Sequence, residues 1–138
     1  MKKSVSDELD RLIDEYLKLP QDTTDINGVI YLREQLSGTL FYLATEAGEA
    51  RKEMMRTKSL YEAKKLHKRM EYLDEGVGRA ETISRANTTR HNEDANEADG
   101  NYNFLKYKYD SAKEILSALS QKISWMKSEQ QYIRAIGG

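Results

Sequence analysis

Residues 51–72 have the sequence RKEMMRTKSLYEAKKLHKRMEY, a strongly basic stretch in a chain whose formal net charge is −1. The first 19 residues of the stretch contain eight Lys and Arg but only two Glu, which gives a local charge of +6. Residues 1–50 have the opposite balance, with five basic and ten acidic residues. Long, unbranched charged side chains favour an extended helix. Concentrated charge beside Tyr61 and Tyr72 indicates a helix that attracts a polyanion and offers its bases a stacking surface.

The composition favours one helical domain. The chain has 138 residues and a single proline; 38% of its residues are hydrophobic and 33% are charged. Compared with typical globular domains, the hydrophobic fraction is low and the charged fraction is high. This balance predicts an all-α fold, an elongated helical hairpin or bundle that buries its remaining apolar surface by forming an oligomer. The absence of cysteine excludes disulfides and thiolate metal sites.

The sequence gives no sign of membrane association. No apolar run approaches the roughly 20 residues of a transmembrane helix. Residues 4–10 are polar where a secretory signal would be apolar. We therefore expect a protein of the cytoplasm, or of the host-cell cytoplasm if a phage encodes it, with no membrane partner.

The first half of the chain predicts two helices. Residues 1–19 form an amphipathic helix that Ser6 caps and that ends at Pro20. Residues 25–75 form the long basic helix, which Asp25 caps. Its apolar stripe runs through seven positions at helical spacing, namely Leu36, Leu40, Leu43, Ala47, Ala50, Met54 and Tyr61.

The stripe changes face near residue 60, because Leu66, Met70 and Leu73 lie on the opposite side of a continuous helix. Two explanations remain open. Ser59–Glu62 is a capping box that restarts the helix, or the helix is unbroken and its two halves pack on different partners. On an unbroken helix, the face opposite these apolar residues gathers Lys58, Tyr61, Lys65, Lys68, Arg69 and Tyr72. We expect Lys68 and Arg69 on this face to lie outside the core.

The second half of the chain predicts a turn, a polar segment and a closing helix. The turn signal is Glu75–Gly78. Residues 79–101 have almost no apolar period and form either a solvated helix or a mobile connector. Residues 102–136 form a C-terminal helix with a heptad-like apolar seam and a second apolar side. One of these sides is expected to meet another subunit, and the candidate oligomerisation residues are Leu119, Ile123, Trp125, Met126, Tyr132 and Ile136.

Few residues suit enzymatic chemistry. Nucleophilic catalysis has no support, because the chain has no cysteine and no serine in a nucleophile-elbow sequence. His67 and His91 are interpreted as surface residues. Glu46–Glu49 and Glu71–Asp74 resemble the two carboxylate pairs with which all-α nucleotide pyrophosphohydrolases hold Mg²⁺. Here the two pairs lie along one helix or on either side of a short break, so we expect no enzyme, no cofactor and no metal site.

Two blocks of the basic stretch resemble the UvsY-like recombination mediators of T-even-type phages. The blocks are Arg51-Lys-Glu-Met-Met-Arg56 and Leu66-His-Lys-Arg-Met-Glu-Tyr72. That family has Lys-Lys-Glu-Met-Leu-Arg and Leu-Lys-x-Arg-Leu-Asp-Tyr at nearly the same separation, and this chain needs a one-residue gap between its two blocks to match it. The length is also alike, as is the order of features: basic helix, Gly-containing turn, polar segment, and a closing helix rich in Tyr and Leu.

The resemblance implies a small all-α protein that forms a ring and binds single-stranded DNA. It also implies that the protein helps to load a recombinase onto strands covered by a single-strand-binding protein. The family's DNA-contacting Arg corresponds to Arg69. Its Lys corresponds to His67, which is a departure, and the neighbouring Lys68 then becomes the candidate for that phosphate contact.

We therefore expect a recombination mediator that acts on single-stranded DNA as a homo-oligomer. Two alternatives remain. One is a structural or protein-binding helical oligomer of a phage, whose basic face meets an acidic protein, and the other is the Mg²⁺-dependent nucleotide hydrolase. The candidate DNA-binding residues are Lys58, Lys64, Lys65, Lys68 and Arg69 for phosphates, His67 as a further donor, and Tyr61 and Tyr72, which stack on bases or pack in the core.

Overall fold

The structure, a computed structural model, describes residues 4–137, and these form four α-helices and one 3₁₀ turn without a β-strand. The expected all-α class is confirmed. Two of the helices are long, with 46 and 49 residues. None of the described helices is long and apolar enough to cross a membrane. The elements are α1 (Val5–Leu17), α2 (Ile26–Glu71), the 3₁₀ turn (Leu73–Glu75), α3 (Val77–Asn87) and α4 (Thr89–Gly137).

Side-chain caps fix where the first two helices begin. The Ser4 hydroxyl accepts a hydrogen bond from the backbone N–H of Asp7 at 3.1 Å, so Ser4 caps α1 and the prediction of Ser6 is wrong. Ser6 lies inside the first turn, and its hydroxyl instead accepts a hydrogen bond from the ammonium group of Lys108. Asp25 caps α2 as predicted, because its Oδ1 accepts a hydrogen bond from the N–H of Gly28 at 3.0 Å.

The helix α2 continues without a break through Ser59, which decides between the two explanations for this region. The Glu75–Gly78 turn signal is confirmed, since Gly76 separates the 3₁₀ turn from α3 with φ of +105°. Residues other than glycine rarely adopt this backbone conformation. The direction of the chain therefore changes where the sequence supplies glycine.

The polar residues 79–101 are helical, so the last helix begins at Thr89 rather than near residue 102. The buried positions in this region are small: Ala80, Ser84, Thr88 and Ala95. Ser84 and Thr88 satisfy their hydroxyls by donating to helix carbonyls, at 2.8 and 2.7 Å. Small and hydroxylated residues produce no periodic hydropathy pattern, so the packed face of this region could not be predicted from the sequence.

The chain divides into two compact units, residues 1–45 with 107–138, and residues 46–106. The first unit contains α1, the first part of α2 and the last part of α4. An ion pair of 3.0 Å between Lys108 and Asp10 joins α4 to α1 in this unit. Its buried core comprises Leu9, Leu12, Val29, Leu32, Leu36, Leu40, Leu43, Ala112, Leu119, Ile123 and Met126. The second unit contains the remainder of α2, the 3₁₀ turn, α3 and the first part of α4.

The two apolar sides of α4 have different roles in the first unit. Leu119, Ile123 and Met126 are at most 5% exposed. These three candidate oligomerisation residues therefore pack in the chain's own core, which corrects their assignment to a subunit interface. Trp125, Tyr132 and Ile136, the other three candidates, are 64 to 67% exposed.

Candidate nucleic-acid interface

The packed face of α2 in the second unit carries the basic and aromatic side chains. Leu66, Met70 and Leu73 are 49 to 66% exposed on the other side. The stripe of the first half therefore stays on one face. Lys68 and Arg69 border this face with side chains 40% and 44% exposed, so neither belongs to the buried core. Buried or half-buried residues follow one another along this face at steps of three or four: Met54, Thr57, Tyr61, Lys65, Lys68 and Tyr72.

Ion pairs between helices explain why charged residues occupy the packed face. Glu81 of α3 lies beside two cations of α2, with Nζ of Lys65 at 3.5 Å and Nε of Arg69 at 3.8 Å from its carboxylate oxygens. The Lys65 ammonium also lies 5.9 Å from the centre of the Tyr61 ring, a cation–π distance. Long aliphatic stems cover apolar surface while their charged ends reach a partner. Packing and ion pairing thus use the same side chains.

Two further candidates, His67 and Lys68, have an acidic neighbour on their own helix. The Glu71 carboxylate lies 3.3 Å from Nζ of Lys68 and 3.3 Å from Nδ1 of His67. The contact with His67 is an ion pair only when the imidazole is protonated. Pairs this exposed contribute little stability, but a phosphate would have to compete with Glu71 for both groups.

Lys58 and Lys64 are the candidates that remain available to a polyanion. Both are exposed, and neither has an ion pair in the part of the chain that the structure describes. Arg51 and Lys52 share these properties, and the sequence analysis did not select them. The spacing of charges within the stretch could have identified Arg51 and Lys52. Glu53 is three residues from Arg56 and binds it at 2.9 and 2.6 Å, which leaves the two preceding cations without that partner.

The Glu53–Arg56 pair illustrates how the acidic residues in the stretch are used. The hydrogen bond from Arg56 lowers the pKa of the Glu53 carboxyl, and the charge of the guanidinium adds to the effect. Glu53 therefore remains an anion well below neutral pH. It neutralises Arg56 and leaves the exposed cations Arg51 and Lys52 without an acidic partner.

Acidic residues of α4 balance the basic helix within the second unit. Residues 46–106 contain twelve Lys and Arg and twelve Asp and Glu, so the unit has no net charge. Asp94 and Glu97 line a groove with Arg56 and Thr57, and Asp99 lines another with Lys58 and Tyr61. The cations of α2 most available to an anion are consequently the exposed ones that form no ion pair among residues 4–137.

The two carboxylate pairs of the hydrolase alternative are not brought together. Glu46 and Glu71 lie 25 residues apart on one continuous helix, or roughly 37 Å along its axis at 1.5 Å per residue. Glu71 is already engaged with His67 and Lys68. Within residues 4–137, no group of three or more His, Asp or Glu side chains is placed to hold a metal ion.

Comparisons with known proteins give no family for this chain. No protein-family model matches it, and neither a curated protein nor a solved structure matches it significantly. The likeness to the UvsY-like mediators therefore rests on the two blocks of sequence in α2.

Proposed function

We propose that this chain binds single-stranded DNA through α2 and acts, as a homo-oligomer, as a recombination mediator. The observation that carries the proposal is a set of four exposed cations that form no ion pair among residues 4–137: Arg51, Lys52, Lys58 and Lys64. Thirteen residues of helix separate the first from the last, or roughly 20 Å. Arg51 and Lys58 are seven residues apart and share one side of α2, whereas Lys52 and Lys64 lie about 100° or more from them around the helix axis. The four cations can therefore bind several phosphates of a strand that lies across more than one side of the helix.

Binding of this kind is directed at phosphates rather than bases. Tyr61 and Tyr72 are half-buried on the packed face of α2, so base stacking is not needed for the proposal. Contacts to phosphates carry no sequence information. We therefore infer that the protein binds single strands without sequence preference, as a mediator acting along any exposed strand must.

An oligomer supplies the affinity that one such row lacks. When several copies engage one strand, the later contacts become intramolecular and avidity rises without new contacts. The exposed Trp125, Tyr132 and Ile136 of α4 support self-association, because contiguous exposed apolar residues usually mark an interface. A recombinase and a single-strand-binding protein are proposed as partners from the resemblance alone.

The proposal is tested by removing two exposed cations. Lys58→Ala with Lys64→Ala should weaken binding to a fluorescent poly-dT oligonucleotide, measured by anisotropy. Lys113→Ala with Lys127→Ala is the matched control, because these lysines are also exposed, lie in the first unit and have no ion pair among residues 4–137. Equal affinities of the two double variants would exclude Lys58 and Lys64 from any DNA site.

A protein-binding helical oligomer is the second candidate, and a specific surface favours it. Leu66, Met70, Leu73 and Val77 are 49 to 66% exposed in the second unit. This apolar strip has no use in phosphate binding and would suit a protein partner. A protein that forms oligomers but has no affinity for poly-dT at low salt would fit this second function and contradict the first.

A further inference from the structure

Three cations converge on one carboxylate in the second unit. Glu81 of α3 lies 3.5 Å from Lys65, 3.8 Å from Arg69 and 3.2 Å from Arg85. The first two cations come from α2 and the third from α3. With one negative and three positive groups, the Glu81 cluster keeps a net charge of +2. It is the densest group of opposite charges in the part of the chain that the structure describes.

The contacts inside the Glu81 cluster are loose. The distances from Glu81 to Arg85, Lys65 and Arg69 are 3.2, 3.5 and 3.8 Å, and all three exceed the 2.7–2.9 Å of a strong charge-assisted bond. Guanidinium groups that bind a carboxylate also bind phosphate, with the same planar donor geometry. Arg69 and Arg85 are accessible, with side chains 44% and 68% exposed. A phosphate from solvent can therefore reach both donors.

Glu81 itself is held in its charged form. Burial of the side chain opposes ionisation, but the positive charges of Lys65 and Arg85 prevail, and the pKa of the Glu81 carboxyl falls below its ordinary value of 4.5. At neutral pH the carboxylate therefore competes fully for the three cations.

We propose that Glu81 is a built-in competitor for DNA phosphate, which restrains binding of the strand at Lys65, Arg69 and Arg85. This inference rests on the proposed function, because single-stranded DNA is the polyanion that competes. A phosphate takes the place of the carboxylate at Arg69 and Arg85, and Glu81 turns toward solvent. Lys65 and Arg69 lie on the same side of α2 as Arg51 and Lys58, and they join these cations in binding phosphate only when DNA displaces Glu81.

The proposal predicts that neutralising Glu81 has opposite effects on stability and on binding. Glu81→Gln removes ion pairs that join α3 to α2, so the variant should melt at a lower temperature. The same change frees three cations, so poly-dT should bind more tightly. If Glu81 only held the fold together, its replacement would lower both the melting temperature and the affinity for poly-dT.

Glu62→Gln is the matched control. Glu62 lies in the same basic stretch, is exposed and forms no ion pair among residues 4–137. Both variants add one unit of positive charge to the same unit, so the general electrostatic effect is shared. Glu81→Gln should bind poly-dT at least about fivefold more tightly than Glu62→Gln, the lower end of ordinary coupling between two binding events. The salt dependence of its affinity should steepen by about 0.7 for each additional phosphate that the freed cations bind.

Anisotropy titrations of wild type, Glu62→Gln and Glu81→Gln with poly-dT decide the question. If wild type binds and the two variants bind equally, Glu81 is not a competitor, whereas the proposed function stands. If wild type itself shows no salt-dependent binding, both proposals fail. Should Glu81→Gln not fold, Glu81→Asp keeps the charge but shortens its reach; tighter binding than wild type supports the inference, and unchanged or weaker binding overturns it.

Discussion

At the scale of single residues, two glycines of α2 provide a matched pair of substitutions. A Cβ atom at Gly28 would lie 2.4 Å from Oδ2 of Asp25 and displace the capping carboxylate, whereas a Cβ at Gly38 meets nothing within 4 Å. Gly38→Ala should stabilise the protein by up to about 1 kcal/mol through helix propensity. Gly28→Ala should stabilise it less or destabilise it, because losing a cap costs roughly 1 kcal/mol. Urea unfolding measures both, and equal stabilisation would show that the cap contributes nothing.

The Glu81 cluster predicts a dependence of stability on pH. The pKa of Glu81 is lower in the folded protein than the ordinary value of 4.5. Its contribution to stability is therefore complete above pH 4.5 and is lost as the pH falls below that value. The difference in melting temperature between wild type and Glu81→Gln should be largest near neutral pH and should shrink on acidification. A difference that stays constant through this range would mean that the carboxylate charge does not stabilise the fold.

Single residues also show which contacts the sequence can predict. The cap at Asp25 follows from the residue type at the start of a helical pattern, and the structure confirms it. The cap of α1 lies two residues before the predicted Ser6, since Ser4 and Ser6 are equally good in sequence. The partner of Lys65 and Arg69 is beyond sequence reasoning, because no local rule links them to Glu81, which follows in another helix.

At the scale of elements, the hydropathy period locates the helices but assigns the wrong packed face to part of α2. The pattern works in the first unit, where Leu36, Leu40 and Leu43 are all buried. It fails in the later part of α2, where Tyr61, Lys65 and Lys68 are half-buried whereas Leu66 and Met70 are exposed. Ion pairing and aliphatic stems supply the contact there, and a hydropathy scale assigns such residues to solvent.

The same substitution on the two faces tests this assignment. Leu43 is fully buried in the first unit, and Leu66 is 55% exposed. Leu43→Ala should destabilise the protein by roughly 2–5 kcal/mol, because it removes contacts and leaves a cavity. Leu66→Ala should remain within about 0.5 kcal/mol of wild type, as surface changes usually do. Chemical denaturation measures the free energy of unfolding of both variants. A large loss of stability in Leu66→Ala would show that Leu66 packs in the core.

At the scale of the whole molecule, the proposed oligomer depends on the exposed end of α4. Every residue from Lys127 to Gly137 is exposed, so three turns of helix have no burial within the chain. Isolated helical turns of this length are marginal in water. Packing against other copies would stabilise them through Trp125, Tyr132 and Ile136. The sequence pattern identifies this apolar side, whereas separating it from the intrachain seam requires the burial of each residue.

Removing the end of α4 should reduce the oligomer without unfolding the subunit. A chain that stops at Lys127 keeps the buried Ile123 and Met126 but loses Tyr132 and Ile136. We expect fewer subunits per particle by sedimentation velocity, with a melting transition that remains cooperative. The full-length double variant Tyr132→Glu with Ile136→Glu controls for chain length, and it should form the same smaller particles as the truncated chain. If the truncated and full-length proteins contain the same number of subunits per particle, the end of α4 is not the interface.

The central claim, that exposed cations of α2 bind DNA phosphates, is tested most directly by the affinity of the wild-type protein for poly-dT as a function of salt. Each phosphate contact on a single strand releases counterions, and the slope of log K against log salt concentration is about −0.7 per contact. Contacts from Arg51, Lys52, Lys58 and Lys64 of one subunit predict a slope of about −3. The slope should be steeper when several subunits engage one strand. No binding at low salt, or an affinity that does not change with salt, would contradict the account.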